Sequence, residues 1–352
     1  MKSKNIESLV RANIAKLTPY STARDEYKGE LGVFLDANES PYSNGYNRYP
    51  DPHQKQLKTR LSAIKQVPCE NIFLGNGSDE AIDLIFRVFC EPRVDNVVAI
   101  APSYGRYKVA AAINDVELRE VQLREDYSLP VEELLAASDD NTKAVFICSP
   151  NNPTANSFAR EDIMRLVVES ECIVVIDEAY IDFAEAKSFV TEIVEHPNIV
   201  VLQTLSKAWA MAGLRLGLAL ADKRIVELMS QVKYPYNINL AAMQIVERLL
   251  SESVAEQIAE IKSERKVVAE ALQEMACVEH IYPSDANFLL VKVADADVMS
   301  EWLVKDGIIV RNRARVKGCE GCLRITIVLK EENEKLLNSI RRYEKESVDS
   351  RS

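Results

Sequence analysis

A chain of 352 residues, 47% hydrophobic and 28% charged, is long enough for two domains with sizeable cores, and its composition excludes a largely disordered or fibrous chain. A net charge of -11 argues against nucleic acid or an anionic membrane as a general partner, because both are bound through a basic face. Seven cysteines spread through apolar runs suit reduced thiols, and the lone CxxC at Cys319 and Cys322, with only three histidines in the chain, predicts no metal site.

The opening MKSKNIESLV carries neither a long apolar run nor a small-residue cleavage site, and no stretch approaches the roughly 18 apolar residues of a membrane span. A cytoplasmic location is expected. The first informative segment is GNGSDEAIDLIFRVF (75–89), where Gly75 and Gly77 permit a tight turn, Ser78 can cap the helix that follows, and the helix start offers free N–H groups to a phosphate. Short apolar runs then alternate with helical spacing: VVAI (97–100), AVFIC (144–148), CIVVID (172–177), IVVLQT (199–204) and LGLALAD (216–222). Strands this uniformly apolar are buried on both faces, which predicts an α/β fold with a mainly parallel sheet between helices. In REDIMRLVVES (160–170), the spacing of Ile163, Leu166 and Val167 predicts a crossover helix.

Three motifs follow strand ends, the place where ligands gather in such sheets. SPNNPTA (149–155) holds Asn152 between two prolines. In VVIDEAYIDF (174–183) Asp177 ends a buried strand, a costly place for a carboxylate without a cation or several donors, and Tyr180 lies just beyond it. TLSKAWAMAGLRLG (204–217) adds Ser206, Lys207 and Arg215. Taken singly, each motif reads equally well as a turn or a surface charge. Together they match the needs of pyridoxal 5′-phosphate: a lysine for a Schiff base, an acid for the pyridine nitrogen and a phosphate site. No GxGxxG follows an early strand, which leaves a nicotinamide-binding reading without support.

After Pro235 the stretch 239–275 has no Gly or Pro and predicts a connecting helix, in one or two pieces. Strands at NFLLVKV (287–293), IIVR (308–311) and CLRITIV (322–328), with helices at 296–305 and at the end, predict a smaller α+β domain. The expected division is 1–30 as an arm packing on the small domain and a partner chain, 31–238 as the large domain and 239–352 as the connecting helix and small domain.

Nine ordered motifs, LTPY (17–20), LDANESPY (35–42), NRYPD (47–51), GNGSDE (75–80), APSYGRY (101–107), SPNNPT (149–154), DEAYIDF (177–183), TLSKAWAMAGLRLG (204–217) and GCLRIT (321–326), cover nearly the whole chain. The set resembles fold-type I pyridoxal-phosphate aminotransferases, and among them the histidinol-phosphate aminotransferases most closely. The resemblance implies that Lys207 binds the cofactor covalently and later shuttles a proton, and that Asp177 pairs with the pyridine nitrogen. Tyr180 and Asn152 would reach the phenolic oxygen, and Tyr104 would stack on the ring. Backbone N–H groups of Gly77, Ser78 and Asp79, with Ser206 and Arg215, would hold the phosphate, joined by Tyr49 from a partner subunit in a homodimer. Tyr20, Asn152, Arg311 and Arg324 would receive substrate. The implied substrates are L-histidinol phosphate and the pair L-glutamate and 2-oxoglutarate. An aromatic amino acid aminotransferase and a threonine-phosphate decarboxylase-like lyase share much of the pattern. Two features depart from it: Ala155 stands where the family has glycine, so that turn is expected to be altered, and the basic stretch 311–321 reads as a solvated loop.

Overall fold

The computed structural model describes residues 5–18 and 32–349, with side chains through 346. Its larger sheet has seven strands, β1 (Ile72–Asn76), β2 (Asn96–Ala101), β3 (Glu117–Gln122), β4 (Thr142–Cys148), β5 (Ile173–Asp177), β6 (Ile199–Thr204) and β7 (Leu216–Ala221), in the order β1-β7-β6-β5-β4-β2-β3. Every neighbouring pair from β6 to β3 is parallel, whereas β7 is antiparallel to both β6 and β1. The sheet is therefore mainly parallel, and β7 alone runs backwards.

Alternation along the strands divides the interior into two cores. Val145, Ile147, Val174, Ile176 and Val201 face one way, against helices Lys55–Lys65, Arg160–Glu169 and Leu240–Leu249. Ala144, Phe146, Ile173, Val175 and Val200 face the other, against helices Ser78–Phe89, Arg106–Ile113 and Lys223–Val232. β1 and β3 are additions to the expected strands. β3, ELREVQ, is an edge strand with exposed and half-buried charges, so it lacks the apolar run that marks its neighbours.

The stretch 239–275 forms two helices, Leu240–Leu249 and Ala255–Gln273. Serines make the break that Gly or Pro would otherwise make: Ser251 Oγ donates to the Arg248 carbonyl at 2.6 Å, and Ser253 Oγ accepts from the Ala255 N–H at 3.3 Å. The first helix packs on the large sheet, while the second sends Val268 and Leu272 into the core under a smaller sheet.

That sheet is antiparallel, ordered β10-β11-β9-β8, from β8 (Val278–Ile281), β9 (Phe288–Val293), β10 (Arg311–Asn312) and β11 (Cys322–Thr326). Helices Ala296–Lys305 and Lys330–Asp349 complete an α+β layer. The strand expected at 308–311 shrinks to β10, because Ile308 is still tied to the preceding helix through its N–H bond to the Leu303 carbonyl at 2.8 Å. Among the described residues, no helix is long and apolar enough to cross a membrane.

Candidate active site

Reversal of β7 sets the site. The carboxyl ends of β1, β5 and β6 lie on the same edge as the amino end of β7, so the loop from β6 to β7 presents Lys207 and Arg215 beside Gly77 and Asp177. Backbone bonds close that loop, from Leu205 N–H to the Leu216 carbonyl at 3.1 Å and from Met211 N–H to the Leu205 carbonyl at 2.9 Å. Arg215 occupies the left-handed region at φ 55°.

The turn after β1 differs from expectation at one position. Ser78 is the first helical residue and Gly77, at φ 75°, takes the cap position, with no side chain capping the helix. The N–H groups of Ser78 and Asp79 therefore face the site uncapped, as an anion cradle requires. Two close approaches fix it. The Gly77 N–H donates to the Arg215 carbonyl at 2.7 Å, and a Cβ on Gly217 would sit 2.1 Å from the Ser78 nitrogen. Gly217 was not singled out from sequence, since its need for a missing side chain comes from a helix far away in the chain. The Asp79 carboxylate accepts from Tyr104 Oη at 3.1 Å and lies 3.8 Å from Arg215 Nη2 and 3.9 Å from Arg106 Nε.

Asp177 lies at the floor, 2% exposed. It accepts from Tyr107 Oη at 2.7 Å and from the Ala179 N–H at 3.1 Å. Burial outweighs these donors and raises its pKa from 3.8 to about 6. Tyr107 is a second residue that sequence reasoning missed; a buried aromatic on an apolar helix face looks like core. Lys207 projects into the same space, its Nζ 5.6 Å from the centroid of the buried Tyr180 ring. Desolvation, then the Arg324 charge, lowers the Lys207 pKa.

Two loops join the two sheets here. In SPNNPT, Asn152 Oδ1 accepts from Arg324 Nη1 at 2.5 Å, and buried Asn151 donates to the Pro102 carbonyl at 2.9 Å and to Thr154 Oγ1 at 2.7 Å. Ala155 is fully buried at φ 70° and its N–H donates to the Asn151 carbonyl at 2.8 Å, so the turn keeps the conformation glycine would favour, against expectation. The basic stretch is likewise only partly solvated. Arg315 is 90% exposed, but Arg313 joins Arg311 and Arg324 at the site.

Of the candidate residues, all except Tyr20 and Tyr49 line one cavity of about 610 Å³. Tyr20 lies outside the described residues. Tyr49 stacks on Tyr236 at a centroid distance of 4.5 Å, in a separate hollow with Asn47 and Arg48.

Such a donor set at the carboxyl edge of a mainly parallel sheet is that of a group-transfer enzyme working with a phosphorylated aromatic base. Comparison with known proteins narrows the class: the chain belongs to the aminotransferase class I and II family, whose model matches residues 26–340. It is 52% identical to a histidinol-phosphate aminotransferase of Parabacteroides distasonis over 340 residues, 96% of this chain and 99% of that one. The fold superposes on the histidinol-phosphate aminotransferase of Clostridium acetobutylicum with a TM-score of 0.78 at 26% identity, covering 85% of this chain and 91% of the other. It matches the Sinorhizobium meliloti histidinol-phosphate aminotransferase, solved in complex with pyridoxal-5′-phosphate, with a TM-score of 0.75 at 23% identity, covering 84% of each chain.

Proposed function

We propose that this chain transfers an amino group between L-histidinol phosphate and 2-oxoglutarate, giving imidazole acetol phosphate and L-glutamate, in L-histidine biosynthesis. The cofactor is pyridoxal 5′-phosphate. One observation carries the reading: a buried acid with no ion pair among the described residues lines one cavity with a desolvated amine, beside an uncapped helix start that a Cβ at residue 217 would close. These residues fit the cofactor's basic ring nitrogen, its carbonyl carbon and its phosphate.

When bound, the cofactor supplies a conjugated cationic ring able to accept the electron pair of a breaking bond at the substrate carbon. Asp177 holds a proton on the ring nitrogen. Ser78 and Asp79 would present backbone N–H groups to the phosphate, with the Ser206 hydroxyl and the Arg215 guanidinium beside them, whereas the Gly77 N–H, expected to join them, is taken by the Arg215 carbonyl. Lys207 Nζ would hold the cofactor through its carbonyl carbon, and its amine would carry a proton to and from the substrate carbon. Tyr180 and Asn152 would hydrogen-bond the cofactor's phenolic oxygen, and Tyr104 would pack on its ring. Arg324 and Arg311, with Tyr20, bind the substrate's anionic end, since a planar fork suits both carboxylate and phosphate.

The residues assigned to the cofactor fall within 31–238 and both arginines within 239–352, the division proposed for the chain, with 1–30 as an arm. The active unit is a cytoplasmic homodimer in which the partner's Tyr49 completes the phosphate site. The test is absorbance spectroscopy of the purified enzyme during addition of L-histidinol phosphate, L-tyrosine and threonine phosphate in turn. Histidinol phosphate is expected to bleach the lysine-bound cofactor band and yield a keto product. No half-reaction with it, or release of carbon dioxide from threonine phosphate, would overturn the reading.

A further inference from the structure

The small sheet presents an arrangement of charge that its own fold does not explain. Arg311 on β10 stands directly opposite Arg324 on β11 in the antiparallel register. Arg313 lies two residues after Arg311 and extends the pairing through its N–H bond to the Cys322 carbonyl at 2.8 Å. Residues two apart on an extended strand share a face, so three guanidiniums converge on one wall of the cavity. Like charges placed directly across a ladder destabilise it. Among the described residues, no carboxylate forms an ion pair with Arg311, Arg313 or Arg324. Arg324 has Asn152 as its hydrogen-bond partner. Among the described residues, the buried Arg313 Nε has no hydrogen-bond partner, and desolvation, followed by the charges of Arg324 and Arg311, lowers the Arg313 pKa.

A cluster of three cations without a carboxylate partner, two of them half-buried and Arg311 at the exposed side, is suited to an anion that arrives with the ligand. The number of forks bears on which anion. One carboxylate carries a single charge and two oxygens, which Arg324 and Arg311 already match. A phosphate monoester carries about 1.5 to 2 negative charges near neutral pH and three terminal oxygens, enough for a third fork.

We infer that Arg313 is a specificity residue that engages the phosphate of the phosphorylated substrate and contributes much less to binding of the amino-acid carboxylate. The inference rests on the proposed function above and deepens it, because it gives the two half-reactions different contacts in one cavity. It also accounts for the partnerless Nε, which a solvated loop arginine would not leave buried.

The test compares parent, Arg313→Gln and Arg313→Lys as holoenzymes. KM and kcat are measured for L-histidinol phosphate and for L-glutamate, and inorganic phosphate is titrated calorimetrically into each protein. In Arg313→Gln the ratio of the histidinol phosphate KM to the glutamate KM is expected to rise about tenfold, with phosphate binding weakened by a similar factor, the scale of one charge-assisted contact. Arg313→Lys restores part of the effect, since it keeps the charge and loses the fork. A ratio and a phosphate affinity both within twofold of the parent would overturn the inference, as would an equal rise in both KM values. A parent enzyme that accepts glutamate but never histidinol phosphate instead overturns the proposed function, and the phosphate titration still reads the role of Arg313.

Discussion

Asp177→Asn separates what the site needs from what the fold tolerates. Asparagine keeps the shape of the side chain and one oxygen for the Ala179 N–H, at 3.1 Å in the parent, and its amide NH2 can donate to the Tyr107 oxygen in place of the 2.7 Å bond the hydroxyl gives the carboxylate, while the charge is removed. In the cofactor-free protein the carboxyl is raised from 3.8 to about 6, chiefly by burial. That difference corresponds to roughly 3 kcal/mol of preference for the protonated form in the folded chain. The unfolded chain releases this proton near pH 4 and the folded chain holds it until about pH 6. The contribution of Asp177 to stability is thus fully present below pH 4 and is lost as pH rises through 6. Paired denaturant titrations of the cofactor-free proteins are therefore expected to show an asparagine variant that gains on the parent by roughly 3 kcal/mol between pH 4 and pH 7.5. With cofactor present the order inverts in function: amino transfer falls at least about 100-fold, the usual scale for removing one preorganised electrostatic partner. A stability difference that does not vary with pH would refute the assignment of Asp177 as a desolvated, uncompensated acid.

Gly217→Ala places a Cβ 2.1 Å from the Ser78 nitrogen and 2.4 Å from the Gly77 carbonyl carbon, and both neighbours are backbone. The cradle must move, so cofactor affinity measured by equilibrium dialysis is expected to drop at least about tenfold, alongside an overpacking cost of about 1–3 kcal/mol in denaturant unfolding. Ala155→Gly relieves an alanine at φ 70°, worth about 1–2 kcal/mol. It also gives up a buried methyl worth about 0.8 kcal/mol and loosens the unfolded chain by about 0.4–1 kcal/mol. The terms nearly cancel, and unfolding should shift by less than about 1 kcal/mol; a loss above 2 kcal/mol would show that the methyl does more than fill space.

The sheet was legible wherever a strand is apolar along its length, as in β4 through β7, because burial on both faces leaves no room for alternation. β3 escaped notice since an edge strand is free to carry charge, and β1 because its last two residues, Gly75 and Asn76, belong to the glycine turn and leave only Ile72, Phe73 and Leu74 as an apolar run. Lys207, Asp177 and Arg215 could be read from sequence through the mismatch between a charged residue and its apolar or strand-end setting. Tyr107, Gly217 and Arg313 could not. What matters about Tyr107 is a hydroxyl aimed at a residue 70 positions on; what matters about Gly217 is the helix start pressed against it; and the direction of Arg313 is set by a strand register. Each depends on a neighbour that only the tertiary fold supplies. The Ala155 turn teaches the converse, for a local propensity argument gave way to the bonds that hold the turn from both sides.

The backward run of β7 also decides how the site is held together. Lys207 and Arg215 belong to one short loop whose two roots, Thr204 and Gly217, are ladder partners on adjacent strands, so the amine and the guanidinium are carried together. The buried acid belongs to the next strand, β5, whose Asp177 is in register with Leu202 of β6. Loop and acid therefore hang from one continuous frame, β5, β6 and β7, and their spacing is set by ladder register. An insertion between Lys207 and Arg215 would lengthen the loop while leaving both strands in register, parting the amine from the guanidinium with little disturbance to the sheet that carries them.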